Sequence, residues 1–563
     1  MAQAKFDASF SGPIVVDPLT RLEGHLRIEV EVEGGKVSRA YSVGTLYRGL
    51  ETILVGRDPQ DAQHFTARTC GICIYTHALA STRAVDAAVG VEIPTLAVMI
   101  RNLVLASQFL HDHVVHFYHL NSLDYVDVTN CLNADVNKAA QLANDMSPRR
   151  TTPESLKIVQ DRVRGLIKSG QLSHFTNAYF LGGHPAYTLP PELDLIFTAH
   201  YLEALHLQVR AARAMALIGG KNPHPQFLLV GGVSCYEALK PEVIREFLAL
   251  EQETAKFIKE VYIPDLLAVA DHYRDVATYG GTSNFFTCGD FFKKDTDLES
   301  GFLKPGVIWN RALNNIAPLD PDLITEDVSH AWYQGTDAPH PYEGKNEPAP
   351  EEMRDLYGGE DGSRYTWSKG PRYDGKPLET GPLATILVNY ARGVKPVVEA
   401  VDNVLKTLNV STDFLFSTMG RTVARGIETL IIANEVEGWV AEFQEQIGRE
   451  SRPKLVEHWT LPRTAKGVGW VNASRGALSH WIVIEGGKIK NFQMVVPTTW
   501  NMSPRDIHGV PGPFEEALTG IPIADPERPV EILRTIHSFD PCIACAVHII
   551  TPENNGRHVF KVL

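Results

Sequence analysis

The chain has 563 residues, 44% of them hydrophobic and 21% charged, so it can bury a large core as one big domain or a few smaller ones. Its net charge of -14 argues against nucleic acid or anionic lipid as the main partner, because the phosphate attraction that drives such binding needs a basic face. The start, MAQAKFDASFSG, lacks an apolar h-region, and no run of about 18 uncharged apolar residues occurs, so neither a cleaved signal nor a membrane span is expected. Taken alone the chain reads as cytosolic; a partner carrying its own export signal would change that.

In chain order the first clear element is HLRIEVEVEGGKVSRAYSVG, residues 25 to 44, which alternates apolar and polar residues on both sides of an EGGK turn and predicts a β-hairpin. Helical patterns follow. The segment from 93 to 120 is a long apolar run broken by Arg101, His111, Asp112, His113, His116 and His119, which suits a helix buried in protein. Further helical windows cover 200 to 220, ending on paired glycines, then 240 to 260, 383 to 408 and 419 to 447. Between Gly335 and Pro382 the density of Pro, Gly, Tyr and charge predicts a long ordered excursion. SHWIVIEGGKIKNFQMVVP, residues 479 to 497, is a second EGGK hairpin. Both hairpins are expected in one small sheet, which would bring the two ends of the chain together. The organisation is a single unit, mainly α with small β-sheets: an N-terminal β region over 1–60, a mostly helical core over 61–470, a C-terminal β region over 471–548 and an extension over 549–563. No low-complexity run or solenoid repeat appears.

Seven cysteines in so long a chain are not a disulfide framework. Cys131, Cys235 and Cys288 stand alone and read as small buried hydrophobes. The other four form two CxxC pairs near opposite ends, in RTCGICIYTH (68 to 77) and FDPCIACAVH (539 to 548). Thiolates are soft ligands, so four of them brought together select zinc, copper(I), nickel or iron over calcium or magnesium. A structural zinc is one reading of such a set; a redox disulfide is a weaker one, since a single CxxC would suffice. Three details favour an active site. A structural zinc usually knits segments about 15 to 20 residues apart, a chain of this size gains little from a staple, and Arg68, His77, Asp540 and His548 put charged and proton-active groups beside the sulfurs.

RTCGICIYTHALAS and DPCIACAVH resemble the two signature motifs of the large subunit of nickel-iron hydrogenases. RLEGHLRIEV, HDHVVHFYHL, GGKNPHPQ, RGALSHW and VVPTTWN fit the same family in the same order, so the resemblance spans essentially the whole chain. It implies that Cys70 and Cys542 are terminal nickel ligands, that Cys73 and Cys545 bridge nickel to an iron carrying carbon monoxide and cyanide, and that Arg475 and Thr498 hydrogen-bond the cyanide. Where relatives commonly have proline before that arginine this chain has Ser474, whose hydroxyl and backbone N–H would lie near the iron ligands. Ile72 and Leu120 fall where relatives narrow the gas route.

The implied reaction is H2 ⇌ 2H+ + 2e-, begun by heterolysis, which needs a Lewis acid and a base within bonding distance. The Cys542 thiolate is the better base, because an arginine pKa exceeds about 12; Arg475 would position and polarise H2, held by Asp112 and Asp540. Glu23, in RLEGH, matches the family's proton-relay glutamate and is expected to have a raised pKa. Glu51, the carbonyl of Met494 and His548 fit the family's second, hard ion: magnesium, with iron or zinc as alternatives.

The resemblance further implies removal of the tail after His548 by a maturation endopeptidase, a small subunit holding the iron-sulfur clusters, since no further clustered cysteines remain here, and export with that subunit to the periplasm or the periplasmic side of a membrane, where a cytochrome b or c would accept electrons. A zinc-stapled scaffold without turnover and a cytosolic bidirectional hydrogenase subunit are the competing readings.

Overall fold

A computed structural model describes residues 9–172, 183–345, 347–350 and 363–546. The N-terminal strands β1 (Gly12–Leu19), β2 (Leu26–Glu33) and β3 (Lys36–Gly44) form an antiparallel sheet with β2 in the middle. The first EGGK turn closes β2 onto β3 with Gly34 and Gly35 both at positive φ, 57° and 75°, which matches the twist of a two-residue hairpin.

The helices follow. Helix α1 (Ile74–Val89) starts at Cys73, and α2 (Thr95–Val115) runs on into a π-helical turn, His116–Asn121. Helices α3 (Pro191–Gly219) and α4 (Pro241–Phe257) match the expected windows. The 383 to 408 window is two helices, α5 (Pro382–Ala391) and α6 (Lys395–Leu408), because Gly393 takes φ 70° and Pro396 cannot continue the first. Helix α7 (Thr418–Arg449) is capped by the Ser417 side chain and buries nearly all of its first four turns, including Arg421, Arg425 and Glu428. A buried core of Leu, Ile, Val and Phe joins these helices. The described parts of the 335–382 excursion are ordered, with Gly370–Tyr373 paired antiparallel to Ile324–Asp327.

Strands β4 (Thr464–Ala473), β5 (Gly476–Glu485) and β6 (Lys488–Val495) make a second antiparallel sheet. The expectation of one shared sheet is therefore corrected: each hairpin recruits its third strand from adjacent sequence, a pairing that closes a far shorter loop than one spanning the chain. The ends meet by other means. Glu23 and Cys542 form a parallel bridge, Ile543 N–H donates to the Glu23 carbonyl at 2.6 Å, and Val37 N–H to the Ile521 carbonyl at 3.0 Å. Residues of the first sheet and of the C-terminal segments share a second core that includes Phe514, Ile536 and Phe539. Among the described residues no helix is long and apolar enough to cross a membrane.

Candidate metal centre

Cys70 sits in the turn before α1, and Cys73 is the residue on which that helix starts, so its sulfur lies at the positive end of a 16-residue helix. Cys542 and Cys545 flank and enter the short helix α8 (Ile543–Ala546). The bridge to Glu23 needs Gly24: a Cβ there would lie 2.7 Å from the Ala544 nitrogen, and its φ is 93°. The fold thereby brings together four sulfurs from the two ends of the chain. All four are buried and free of disulfides, and their atoms lie within 4.8 Å of one another.

The separations are 3.3 Å for Cys70–Cys542, 3.2 Å for Cys73–Cys545, 4.0 Å for Cys73–Cys542 and 2.8 Å for Cys542–Cys545. Thiolates about 2.3 Å from a shared tetrahedral ion would lie about 3.8 Å apart, a spacing the Cys73–Cys542 pair approaches and the other three undercut. Burial presses all four thiols toward protonation; for Cys70 the neighbouring thiols and the Arg475 charge outweigh it and hold the pKa well below the usual range, while burial and the crowded sulfurs push Cys542 and Cys545 well above it. Only cations between them would hold all four together as thiolates. The donor set fits soft transition metals.

Beside the sulfurs is a small cavity of about 10 Å³ lined by Cys73, Thr76, His77, Arg475, Thr498, Cys542 and Cys545 together with Ala473, Leu478, Val496 and Pro497. Arg475 sits in the tight turn between β4 and β5. Its Nε donates to the Asp540 carbonyl and its Nη2 to Asp540 Oδ1, both at 2.9 Å, while Nη1 has no hydrogen-bond partner among the described residues. Asp112 was expected to share this guanidinium by hydrogen bonding; its Oδ2 stands 3.9 Å from Nη1, beyond that reach. The Ser474 hydroxyl donates to that oxygen instead, at 2.8 Å. Burial lowers the Arg475 pKa, but Asp540, Cys542, Cys73 and Asp112 more than compensate, so it stays cationic. Thr498 Oγ1 accepts from Cys542 N–H at 3.0 Å, which leaves its own proton to donate.

Glu23 Oε2 lies 3.2 Å from Cys542 Sγ and accepts from Ala544 N–H at 3.0 Å. Its pKa is raised, chiefly by burial and then by the Cys70 charge, against the pull of Cys542, Ala544 and Arg475. Glu51 is buried, accepts from Met494 N–H at 2.6 Å and pairs with Lys369 Nζ at 3.3 Å. Lys369 also reaches Glu326 at 3.1 Å and Gln493 Oε1 at 2.6 Å. His548, expected beside Glu51 and Met494, lies outside the described residues, as does the tail. Of the lone cysteines, Cys131 and Cys288 are buried and Cys235 is partly so.

A family model described as nickel-dependent hydrogenase matches residues 48–548, and one described as HoxL-like matches residues 13–43. The chain belongs to the nickel-dependent hydrogenase family. It is a large subunit of that family: it is 42% identical over 581 residues to the uptake hydrogenase large subunit of Bradyrhizobium diazoefficiens, covering 98% of this chain and 97% of that one. It is 40% identical over 577 residues to the hydrogenase-2 large chain of Escherichia coli K12, covering 98% and 99%. Among solved structures, a variant of the [NiFeSe] hydrogenase of Desulfovibrio vulgaris Hildenborough aligns with TM-score 0.79 at 33% identity, over 96% of this chain and 100% of that one. A reduced, active form of the Desulfomicrobium baculatum enzyme aligns with TM-score 0.75 at 34% identity, over 95% and 100%. As a large subunit of a hydrogenase, the chain works with a small-subunit partner.

Several polar contacts of this hydrogenase subunit escape a reading by motif. His77 Nε2 is 3.2 Å from Cys545 Sγ, His77 Nδ1 is 3.1 Å from His480 Nε2, and His480 Nδ1 is 2.8 Å from Ser81 Oγ. His480 belongs to RGALSHW and was within reach of motif reasoning; Ser81 carried no signal. Gln108 and His111 hold Asp112 Oδ1 at 2.5 and 2.9 Å, and Arg425 Nη1 donates to the Ser474 carbonyl at 2.7 Å.

Proposed function

We propose that this subunit oxidises H2 in an uptake-type nickel-iron hydrogenase, with Cys70, Cys73, Cys542 and Cys545 holding a nickel-iron centre whose iron carries carbon monoxide and cyanide. The convergence of four buried sulfurs around Arg475 and Glu23 carries this reading. When bound, the centre supplies the Lewis acid and the electron sink for dihydrogen. The residues of the chain handle the proton. Cys542 Sγ is the base of choice, because Arg475 is held charged by Asp540 and has no lone pair to offer. Glu23 Oε2 is placed to take the proton from Cys542 Sγ, and its raised pKa favours acceptance of that proton. Arg475 and Thr498 offer N–H and O–H to cyanide.

The electrons leave through iron-sulfur clusters of the small subunit toward a membrane cytochrome b or a cytochrome c, on the periplasmic side, after export with that subunit. Glu51, the Met494 carbonyl and His548 are the proposed magnesium ligands, and the tail after His548 is proposed to be removed by an endopeptidase during maturation. The relatives named uptake hydrogenase large subunit support the direction of turnover. The test is hydrogen-dependent dye reduction by the purified heterodimer with infrared spectra of the same sample: activity with carbonyl and cyanide bands is expected, and zinc alone without those bands would leave the scaffold reading.

A further inference from the structure

The turn Ser474–Arg475 projects two side chains with different tasks. Arg475 lines the metal cavity and spends Nε and Nη2 on Asp540. Its Nη1 is buried with no hydrogen-bond partner among the described residues. A carboxylate oxygen that faces it, Asp112 Oδ2, is only 3.9 Å away. A guanidinium and a carboxylate buried side by side normally close to about 2.7–2.9 Å. Here they do not, and the surroundings of Asp112 supply the reason. Gln108 Nε2 and His111 Nδ1 donate to Oδ1, and the Ser474 hydroxyl donates to Oδ2. Each oxygen of the carboxylate is thus held by a donor outside the cavity. Ser474 is itself fixed, since its carbonyl accepts from Arg425.

We propose that Ser474 is a positioning residue: by tethering Asp112 Oδ2 it keeps that carboxylate off Arg475 and reserves one guanidinium N–H for an anionic or dipolar ligand in the cavity. The role deepens the nickel-iron reading and rests on it for the ligand, which would be a cyanide of the iron. The serine need not touch that ligand. Its side chain acts through Asp112, and Asp112 acts on the arginine.

The test uses the assembled heterodimer with Ser474→Ala, Ser474→Thr and Ser474→Cys. In Ser474→Ala the tether is lost, and a crystal structure is expected to show Arg475 Nη1 and Asp112 Oδ2 closing from 3.9 Å to a hydrogen bond of about 3 Å. The infrared cyanide bands shift from the parent's, and kcat for H2 oxidation falls roughly tenfold or more. Ser474→Thr keeps the hydroxyl and restores the parent spacing, bands and rate. Ser474→Cys, a weaker donor of similar size, moves all three in the alanine direction by less, and it decides the matter where the alanine variant fails to assemble. A parent spacing and parent bands in both the alanine and cysteine variants overturn the proposal. Absence of cyanide bands from the parent itself would overturn the nickel-iron reading instead, and the crystallographic spacing would still decide the role of the serine.

Discussion

Replacing Glu23 by glutamine removes the proposed proton acceptor while changing little else. The parent carboxylate accepts from Ala544 N–H at 3.0 Å and lies 3.2 Å from Cys542 Sγ. A glutamine carbonyl can keep the Ala544 contact, and its shape is the same. Burial already disfavours the charged form of Glu23, so a neutral amide costs little stability. The expected loss is kinetic. A well-placed general base contributes roughly 100- to 10,000-fold, or about 3–5 kcal/mol of barrier. Hydrogen-dependent dye reduction by the heterodimer should fall by that factor, and isotope exchange between D2 and water should slow in parallel. The unfolding midpoint should stay within about 1 kcal/mol of the parent's. A variant with full metal content that keeps more than a fifth of parental turnover would refute the role of Glu23 as the proton's first stop.

Three other substitutions probe the scaffold. A Cβ on Gly469 would lie 2.0 Å from the Ala80 carbonyl oxygen and 2.3 Å from Ala84 N, so Gly469→Ala should push α1, with Cys73 at its start, off β4 and lower bound nickel; elemental analysis checks this, and parental nickel content contradicts it. Asp540→Asn suits the left-handed φ of 58° at that position but removes the charge facing Arg475 and Arg425, and should cost about 3 kcal/mol or more, read as a lower urea midpoint. Burial raises Glu251 from 4.5 to about 7, with Ser107 as its one opposing contact. A carboxyl with a raised folded pKa favours the native state fully below the unfolded pKa and loses that advantage as pH rises to the folded value. The parent should therefore lose about 3 kcal/mol from this group between about pH 4.5 and 7, and Glu251→Gln should lack that part of the slope; identical pH dependence of the two urea midpoints would contradict it.

The cysteines and their convergence were legible because the ligand chemistry demands particular residue types in a short motif, repeated at both ends. The longest helices were legible from periodicity, down to the one that carries Arg421, Arg425 and Glu428, whereas the 16-residue helices Ile74–Val89 and Pro153–Lys168 were not among the expected windows. Which strands pair was not. The two EGGK hairpins look alike, and nothing in either says that its third strand lies next to it rather than across the chain. Buried polar pairings were equally silent: Lys369 lies in a loop with no helical or strand period, yet it pairs with Glu51 and Glu326. Asp112 faces Arg475 as expected, but its Oδ2 takes its hydrogen bond from Ser474, because a motif gives neighbours without giving the competition among donors that decides which bond is made.

Anomalous diffraction from crystals of the heterodimer, recorded at the nickel and iron absorption edges and, as a control, at the zinc edge, tests the metal assignment most directly. The account expects one nickel and one iron peak within bonding distance of the sulfurs of Cys70, Cys73, Cys542 and Cys545, with the iron also beside Arg475 and Thr498. A single zinc peak among those sulfurs, with no signal at the nickel or iron edge, would contradict it.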